Sequence, residues 1–324
     1  MPPCRVCPAC DGRVCAGEMP GMGGVGSGAG FINNFQALAA VRLNLRTIHT
    51  VASPDIALSL FGKGLAMPIL GAPIGGVKMN VNDAMSEEEF CLAMLEGARQ
   101  AGTLGMGGDG PFPLLYNATL AAVRQAGGIP VTKPRGQEAI VAHFRRAEEA
   151  GAAAIGIDID AAGLLNMTRN GQPVEPKTVD QLRELAAATP LPLILKGVMT
   201  VEDAQAACRA GAAAIVVSNH GGRALDHTPG TAEVLPAIAA AVKGRITILA
   251  DGGVRSGTDV LKFLALGADA VLVGRPLAIA AVGGGAEGVR LMLETLAEEL
   301  RAAMVLTGCN SLSEVGPQVL WRRE

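Results

Sequence analysis

Residues 193–223 read LILKGVMTVEDAQAACRAGAAAIVVSNHGGR. An apolar run, Leu193 to Lys196, leads into a helical stretch, Val201 to Ala210, and a second apolar run follows from Ala214 to Ser218. Both runs are almost continuously hydrophobic, which is typical of strands covered on both faces. The order strand, helix, strand indicates parallel strands joined by a helical crossover.

The same alternation extends along the chain from residue 66 onward, and we count eight such units. Eight units favour a closed (β/α)8 barrel, a TIM barrel, over an open doubly wound sheet. A last helix, around Val289 to Leu306, would cover the side of the barrel. The predicted strands are Pro68 to Ala72, Thr103 to Met106, Ile129 to Thr132, Ala154 to Asp158, Leu193 to Lys196, Ala214 to Ser218, Ile246 to Ala250 and Ala270 to Val273.

Length and composition fit one such barrel with a short extension. The chain has 324 residues, of which 49% are hydrophobic. We therefore expect a Cys- and Gly-rich N-terminal segment, residues 1–30, and a barrel over residues 31–324. Lys and Arg total 27 against 30 Asp and Glu, so the chain has no positive excess for binding nucleic acid.

The hydrophobic residues occur in short bursts, and none reaches the roughly eighteen uninterrupted apolar residues of a membrane span. The N-terminus is rich in Cys and Pro and lacks the continuous apolar stretch of a secretory signal. We therefore expect a cytoplasmic protein that is not bound to a membrane.

Chemically active side chains directly follow the later predicted strands, and in a barrel these positions meet at one rim. The glycines that precede Arg255 and Arg275 let backbone N–H groups approach an anion, to which both arginines can donate charged hydrogen bonds. This pattern indicates a phosphate site. The strand-end residues of the whole rim are Asp158, Lys196-Gly197, Ser218 to Arg223, Asp251 to Arg255 and Gly274-Arg275, and the phosphate site is expected at the last two of these stretches.

His220 is flanked by glycines at a strand end, which would expose its ring. Asp158 faces it across the barrel mouth, and Arg223 lies in the same loop. Carboxylate, imidazole and guanidinium together suit proton abstraction from an anionic substrate. Lys196 ends an apolar strand, where a charge is costly unless it meets an anion such as the negatively charged edge of a reduced flavin.

These stretches resemble the FMN-dependent 2-hydroxy-acid oxidases and dehydrogenases, the glycolate oxidase and lactate oxidase family. The resemblance is dense from about residue 190 to 315 and thinner from 66 to 190, where Ala72-Pro73-Ile74-Gly75 and Asp158 fit the pattern. The motifs that carry it are Lys196-Gly-Val, Ser218-Asn-His-Gly-Gly-Arg223, Asp251-Gly-Gly-Val-Arg255-Ser-Gly-Thr-Asp-Val and Gly274-Arg-Pro276.

The resemblance implies a small 2-hydroxy acid as substrate, oxidised to the 2-oxo acid in a homo-oligomer, a tetramer in this family. His220 would remove the hydroxyl proton while the α-hydrogen goes to flavin N5, Asp158 would steady the imidazolium, and Arg223 would hold the substrate carboxylate. The residues implied to bind FMN are Pro73, Ile74, Gly75, Lys196, Ser218, Asp251, Gly252, Gly253, Arg255, Gly274 and Arg275.

The sequence departs from the family where the substrate is held. After Asp158 no arginine appears until Arg169, and Pro130-Val-Thr-Lys-Pro134 stands where the family has Gln and Tyr. The only tyrosine, Tyr116, falls in the helix after the second strand. Two alternatives therefore stay open: an FMN-dependent isomerase or dehydratase on the same barrel, and a non-catalytic flavoprotein with a metal-binding N-terminus.

Cys4, Cys7, Cys10 and Cys15 are placed on one short loop, the arrangement that thiolate-bound metals require. We expect them to hold zinc or an iron–sulfur cluster. A disordered terminus and a disulfide pair are the alternatives, although cytosolic thiols normally stay reduced. A cluster would offer an electron route to or from FMN.

Overall fold

The structure is a computed structural model that describes residues 4–81 and 83–321. Residues 1–3, which begin the predicted N-terminal segment, and residues 322–324, which end the predicted barrel, lie outside the described residues.

Eight parallel strands within the described residues close into a barrel, so the predicted (β/α)8 fold is confirmed. Strands β3 to β10 follow one another around the barrel in chain order, and β10 pairs with β3 to close it. The strands of the described chain are β1 Leu58–Leu60, β2 Lys63–Leu65, β3 Ile69–Ile74, β4 Gly105–Gly107, β5 Ile129–Thr132, β6 Ile155–Asp158, β7 Leu193–Val198, β8 Ala214–Val217, β9 Thr247–Ala250 and β10 Ala270–Val273.

Helices alternate with these strands and surround the barrel. The helices of the described chain are α1 Ala29–Ala40, α2 Val77–Asn80, α3 Glu87–Gln100, α4 Pro113–Ala126, α5 Gln137–Glu149, α6 Leu165–Arg169, α7 Val179–Ala187, α8 Val201–Ala210, α9 Thr231–Val242, α10 Gly257–Ala265 and α11 Arg275–Thr307. The turns between helix and strand use glycine as expected: Gly151 and Gly211 take the left-handed conformation, with φ of 77° and 80°.

Side chains of each strand alternate between two apolar layers. On β8, Ala214 and Val216 pack inside the barrel, whereas Ile215 and Val217 pack outward against the helices. This period of two places Lys196 on the inward face of β7, after Ile194. The layers therefore decide which strand-end residues face the barrel mouth.

The hairpin β1–β2 was missed by the sequence analysis. Its strands have three residues each, and Lys63 and Gly64 break any alternation of apolar and polar residues. Leu60 and Leu65 pack with Ala154, Ala214 and other barrel-interior residues at the strands' amino ends. The hairpin thus seals the barrel end opposite the predicted site.

Helix α11 is longer than the predicted Val289 to Leu306. It is two helices that meet at Gly284 and Gly285, which have non-helical backbone angles. By length and composition it is the one helix of the described residues apolar enough to cross a membrane. Its buried residues, among them Leu293 and Leu300, pack against α3 and α10.

The N-terminal segment lies over the carboxyl end of the barrel. Val25 N donates to Gly222 O at 2.8 Å in the loop after β8. The Asp226 carboxylate accepts hydrogen bonds from the backbone of Ser27 and Ala29, at 2.5 and 3.1 Å. Residues far apart in the sequence therefore form one surface above the strand ends.

The stability of this fold depends on pH through the buried His143. Its ring stacks on Tyr116, with centroids 4.0 Å apart, and its Nδ1 lies 2.7 Å from Thr132 Oγ1. Burial lowers the pKa of His143 from 6.5 to about 4. The histidine is therefore protonated near pH 6.5 in the unfolded chain but only near pH 4 in the folded protein. As the pH falls from 6.5, protonation favours the unfolded chain and the unfolding free energy decreases, and this decrease ends near pH 4.

We predict that His143→Phe, which keeps the stacked ring, flattens the fall in unfolding free energy between these two pH values by roughly 2–3 kcal/mol. Urea denaturation at a series of pH values measures this. The exposed His227→Phe is the matched control and should follow the parent protein. An equal slope for His143→Phe and parent would contradict the assignment.

Candidate active site

The ends of four adjacent strands supply a buried polar cluster at the barrel mouth. Asp158 ends β6, Lys196 lies near the end of β7, Ser218 follows β8 and Asp251 follows β9; all four are 9% exposed or less. Asp158 and Lys196 face each other in register across the β6–β7 pair. The structure therefore brings together the strand-end residues that the sequence analysis selected.

Asp158 lies between two lysines. Its Oδ2 is 2.6 Å from Lys133 Nζ and its Oδ1 is 3.3 Å from Lys196 Nζ. Burial alone would raise the pKa of Asp158, but Lys133 and Lys196 outweigh it and hold the pKa well below its usual range. Lys196 is also 4.0 Å from Asp251, and the two carboxylates raise its pKa despite burial. Asp158 and Lys196 therefore favour their charged forms.

His220 has Asp160 as its carboxylate partner, a residue that the sequence analysis did not select. Its Nδ1 lies 3.0 Å from Asp160 Oδ1. The direct contact is thus made by Asp160, because Asp158 is engaged by the lysines; the role of steadying the imidazolium stays a prediction for Asp158. Oxygens of both aspartates and a ring nitrogen of His220 still lie within 4.8 Å of one another.

The backbone at His220 has an uncommon conformation. His220 has φ of 60°, a left-handed conformation that is rare outside glycine and concentrated at functional sites. Its N–H donates to Ser218 Oγ at 3.1 Å. Gly197 leaves room for Asp160, since a Cβ there would lie 2.5 Å from the Asp160 side chain. The sequence signal that could have identified this second carboxylate is its position, two residues after Asp158 and just before a turn.

Arg223, Arg255 and Arg275 form a second cluster, and among the described residues none of them pairs with a carboxylate. They donate instead to main-chain oxygens of the N-terminal segment. Arg223 binds Gly21 O at 2.5 Å, Arg255 binds Cys10 O at 2.7 Å, and Arg275 binds Met22 O at 2.7 Å.

Within residues 4–81 and 83–321, these guanidinium charges have no acidic side chain as a counter-ion. Burial, together with repulsion by Arg223 and Arg255, lowers the pKa of Arg275 to about 9. Burial lowers the pKa of Arg223 to about 10. Carbonyl oxygens satisfy hydrogen bonds but do not neutralise three neighbouring positive charges, so an anion such as a phosphate fits here.

The remaining residues predicted to bind FMN also lie at strand ends on this face. Pro73 and Ile74 end β3 and Gly75 follows it; Gly252 and Gly253 follow Asp251 after β9; Gly274 caps α11 after β10. Asp251 Oδ1 is buried without a hydrogen-bond partner among the described residues. A buried acceptor of this kind suits a hydroxyl group of the flavin side chain. The donor set therefore fits FMN.

The substrate side shows where the sequence departs from its relatives. Arg169 is exposed on α6 and takes no part in the cluster. Tyr116 is buried in α4 and donates to His143 O at 3.1 Å, a structural role. Lys133, from the stretch Pro130-Val-Thr-Lys-Pro134, instead reaches Asp158. A lysine ammonium thus lies beside the catalytic cluster, and the sequence analysis missed it.

The thiols of Cys4, Cys7, Cys10 and Cys15 are unpaired and line one cavity together with Arg275. Within residues 4–81 and 83–321, no three of these thiols lie mutually within 4.8 Å, the condition that the Asp158, Asp160 and His220 group meets. The structure therefore gives no compact four-sulfur site for zinc, and the metal centre stays a prediction.

Comparison with protein families identifies relatives over almost the whole chain. The FMN-dependent dehydrogenase family matches residues 21–178 and 167–322. The matched region begins after the four cysteines. It includes His220, Asp160 and the three arginines.

Characterised relatives act on 2-hydroxy acids. The chain is 35% identical to 4-hydroxymandelate oxidase from Amycolatopsis orientalis, covering 90% of this chain and 89% of the relative. It is 35% identical to L-lactate oxidase from Lacticaseibacillus rhamnosus (87% and 83% covered) and 33% identical to glycolate oxidase 3 from Arabidopsis thaliana (87% and 85% covered).

Solved structures agree in fold. A mandelate oxidase mutant with (S)-mandelic acid superposes with a TM-score of 0.79 at 36% identity, covering 93% of this chain and 92% of that one. A mandelate oxidase mutant that carries an FMN adduct gives a TM-score of 0.78 at 35% identity, with 96% and 98% covered.

We predict that Lys133→Met lowers the unfolding free energy by about 3 kcal/mol, because it leaves the buried Asp158 with one lysine in place of two. Urea denaturation at pH 7 measures the loss. Lys243→Met is the control: it breaks an ion pair with Asp269 whose lysine side chain is 48% exposed, and should cost less than about 1 kcal/mol. Equal losses would show that the Lys133 pair contributes no more than a surface pair.

Proposed function

This chain belongs to the FMN-dependent dehydrogenase family, and we propose that it oxidises a small 2-hydroxy acid to the 2-oxo acid with His220 as the base. The choice of His220 as the base rests on its pair with Asp160, which lies beside the charged Asp158–Lys196 pair at the strand ends. The relatives named above are oxidases, which favours net oxidation over the isomerase and non-catalytic alternatives.

When bound, FMN supplies the two-electron acceptor for the substrate's α-hydrogen. We assign its phosphate to Arg255 and Arg275, whose charges have no carboxylate partner among the described residues. Lys196, Ser218 and Asp251 line the deeper part of the site, where the strands end. Lys196 would balance negative charge on the ring system, since its ammonium is buried and firmly protonated.

His220 is oriented to act as a base. Its Nδ1 faces the Asp160 carboxylate, which favours the tautomer with the proton on Nδ1 and leaves the Nε2 lone pair free to accept the hydroxyl proton. The imidazolium that forms is stabilised by Asp160 directly and by the nearby charge of Asp158. The two aspartates thus share the role that the sequence analysis gave to Asp158 alone.

We assign the substrate carboxylate to Arg223, three residues after His220. In the structure its guanidinium holds Gly21 O, Gly23 O and the side-chain oxygen of Asn80. All three are neutral acceptors, so a carboxylate would bind this guanidinium more strongly than they do. The homo-oligomer and the cytoplasmic location stay predictions.

We also propose that Cys4, Cys7, Cys10 and Cys15 hold a metal centre. The support is that all four line one cavity, as their spacing in the sequence predicts.

The proposed activity is tested by mixing the protein anaerobically with a panel of small 2-hydroxy acids and following the flavin absorbance. We expect at least one acid to bleach the flavin in the parent protein. His220→Ala should keep FMN but bleach at least about a hundredfold more slowly, the usual effect of losing a general base. Reduction by dithionite is the control and should be unchanged. Turnover of the variant within a few-fold of the parent would show that His220 is not the base.

Asp160→Asn should keep the hydrogen bond to His220 but remove the charge that stabilises the imidazolium. We expect flavin reduction at least about tenfold slower, with the rate–pH profile displaced to lower pH, measured by stopped-flow mixing. Asp180→Asn, which alters only an exposed ion pair with Arg183, is the control. An unchanged rate and pH profile would show that Asp160 does not stabilise the imidazolium, and would leave that role to Asp158.

A further inference from the structure

The cavity of the N-terminal segment collects more than its four thiols. Arg5, Phe31 and Arg275 also line it. Asp11 and Glu18 lie on its wall, but each is paired with an arginine, Arg13 or Arg5. The four thiols are not bonded to one another, since all seven cysteines of the chain are free.

The spacing of the thiols argues against a single metal ion. Tetrahedral zinc with Zn–S bonds of about 2.3 Å draws its four sulfurs to within roughly 4 Å of one another. Among the described residues no three of these sulfurs come within 4.8 Å of one another. An iron–sulfur cluster lies between its ligands, with one iron behind each thiolate, and therefore keeps the sulfurs farther apart.

Arginines surround the thiols. Arg255 Nη2 donates to Cys10 Sγ at 3.2 Å, and the Arg275 guanidinium lies 3.7 Å from the centre of the Phe31 ring on the cavity wall. A cluster with four thiolate ligands is negatively charged, and guanidinium groups this close to a ligand sulfur would stabilise that charge.

The cavity also adjoins the proposed active site. Arg275 lines the cavity and at the same time donates to Gly221 O at 3.1 Å, the residue next to His220. Arg255 follows the glycines after β9 and reaches Cys10. The side chains assigned to the FMN phosphate are therefore the same ones that touch the cysteine cavity.

We propose that Cys4, Cys7, Cys10 and Cys15 bind an iron–sulfur cluster that carries electrons away from the flavin, a role that rests on the function proposed above. The 2-hydroxy acid loses two electrons and two protons and becomes the 2-oxo acid. The cluster takes the two electrons from the reduced flavin one at a time and passes each to an external one-electron acceptor. Two acceptor molecules are reduced for each acid oxidised, and the two protons go to solvent.

The first test is the composition of the protein isolated without oxygen. We expect about four iron atoms and as many acid-labile sulfides per chain, with a reduced-state electron paramagnetic resonance signal. This readout needs neither flavin nor substrate, so it separates the cluster from the proposed activity. Zinc near one atom per chain, or iron and sulfide well below one cluster per chain, would overturn the proposal.

The second test uses Cys7→Ser and Cys15→Ser, with Cys208→Ser on helix α8 as the matched control. Dithionite titration should take about three electrons per chain in the parent and control, two for the flavin and one for the cluster, but about two in the N-terminal variants. Bleaching of the flavin by the hydroxy acid should be unchanged in all of them. Reduction of cytochrome c, the one-electron probe, should fall at least tenfold in the N-terminal variants alone.

Two results of the second test would overturn the electron route. One is an equal electron count in parent and N-terminal variants. The other is an unchanged rate of cytochrome c reduction once the cluster is lost. Failure of every hydroxy acid to bleach the flavin, with iron and sulfide present, would instead count against the proposed activity and the electron route that rests on it.

Discussion

The ion pair between Asp158 and Lys196 sets the chemistry of this barrel mouth. The two residues face each other on adjacent strands, and each is buried, so neither charge is tolerable without the other. Lys133 adds a second ammonium to Asp158. With two lysines on one carboxylate, the histidine needs another partner, and Asp160 provides it. Lys133 and Asp160, the two site residues that the sequence analysis missed, therefore belong to one network of charges.

Sequence alone predicted the barrel because its strands are covered on both faces. Runs such as Ile129 to Thr132 and Ala270 to Val273 have the same bounds in the structure. The strand around Gly105 was predicted two residues early, since glycine carries no apolar signal. The hairpin β1–β2 could not be predicted, because its stability comes from two leucines that contact barrel residues distant in the sequence.

The candidate site was predictable in its strand-end residues and not in their pairing. A residue directly after an apolar strand faces the mouth, which sufficed for Lys196, Ser218 and Asp251. Which carboxylate reaches His220 depends on the left-handed backbone at the histidine and on the space above Gly197, and neither is visible in residue order. The contacts of the arginines with residues 10–23 could not be predicted either, because every residue has a main-chain oxygen and no sequence motif marks the ones that accept.

The docking of the N-terminal segment has a consequence for biosynthesis. Met22 and Arg275 bind each other although 253 positions separate them, and Gly21 and Arg223 are 202 apart. The segment therefore leaves the ribosome before the last strands of the barrel, next to which its binding partners lie. The segment completes its contacts only after nearly the whole chain has been translated, which keeps its thiols accessible throughout synthesis and ties completion of the barrel mouth to completion of the polypeptide.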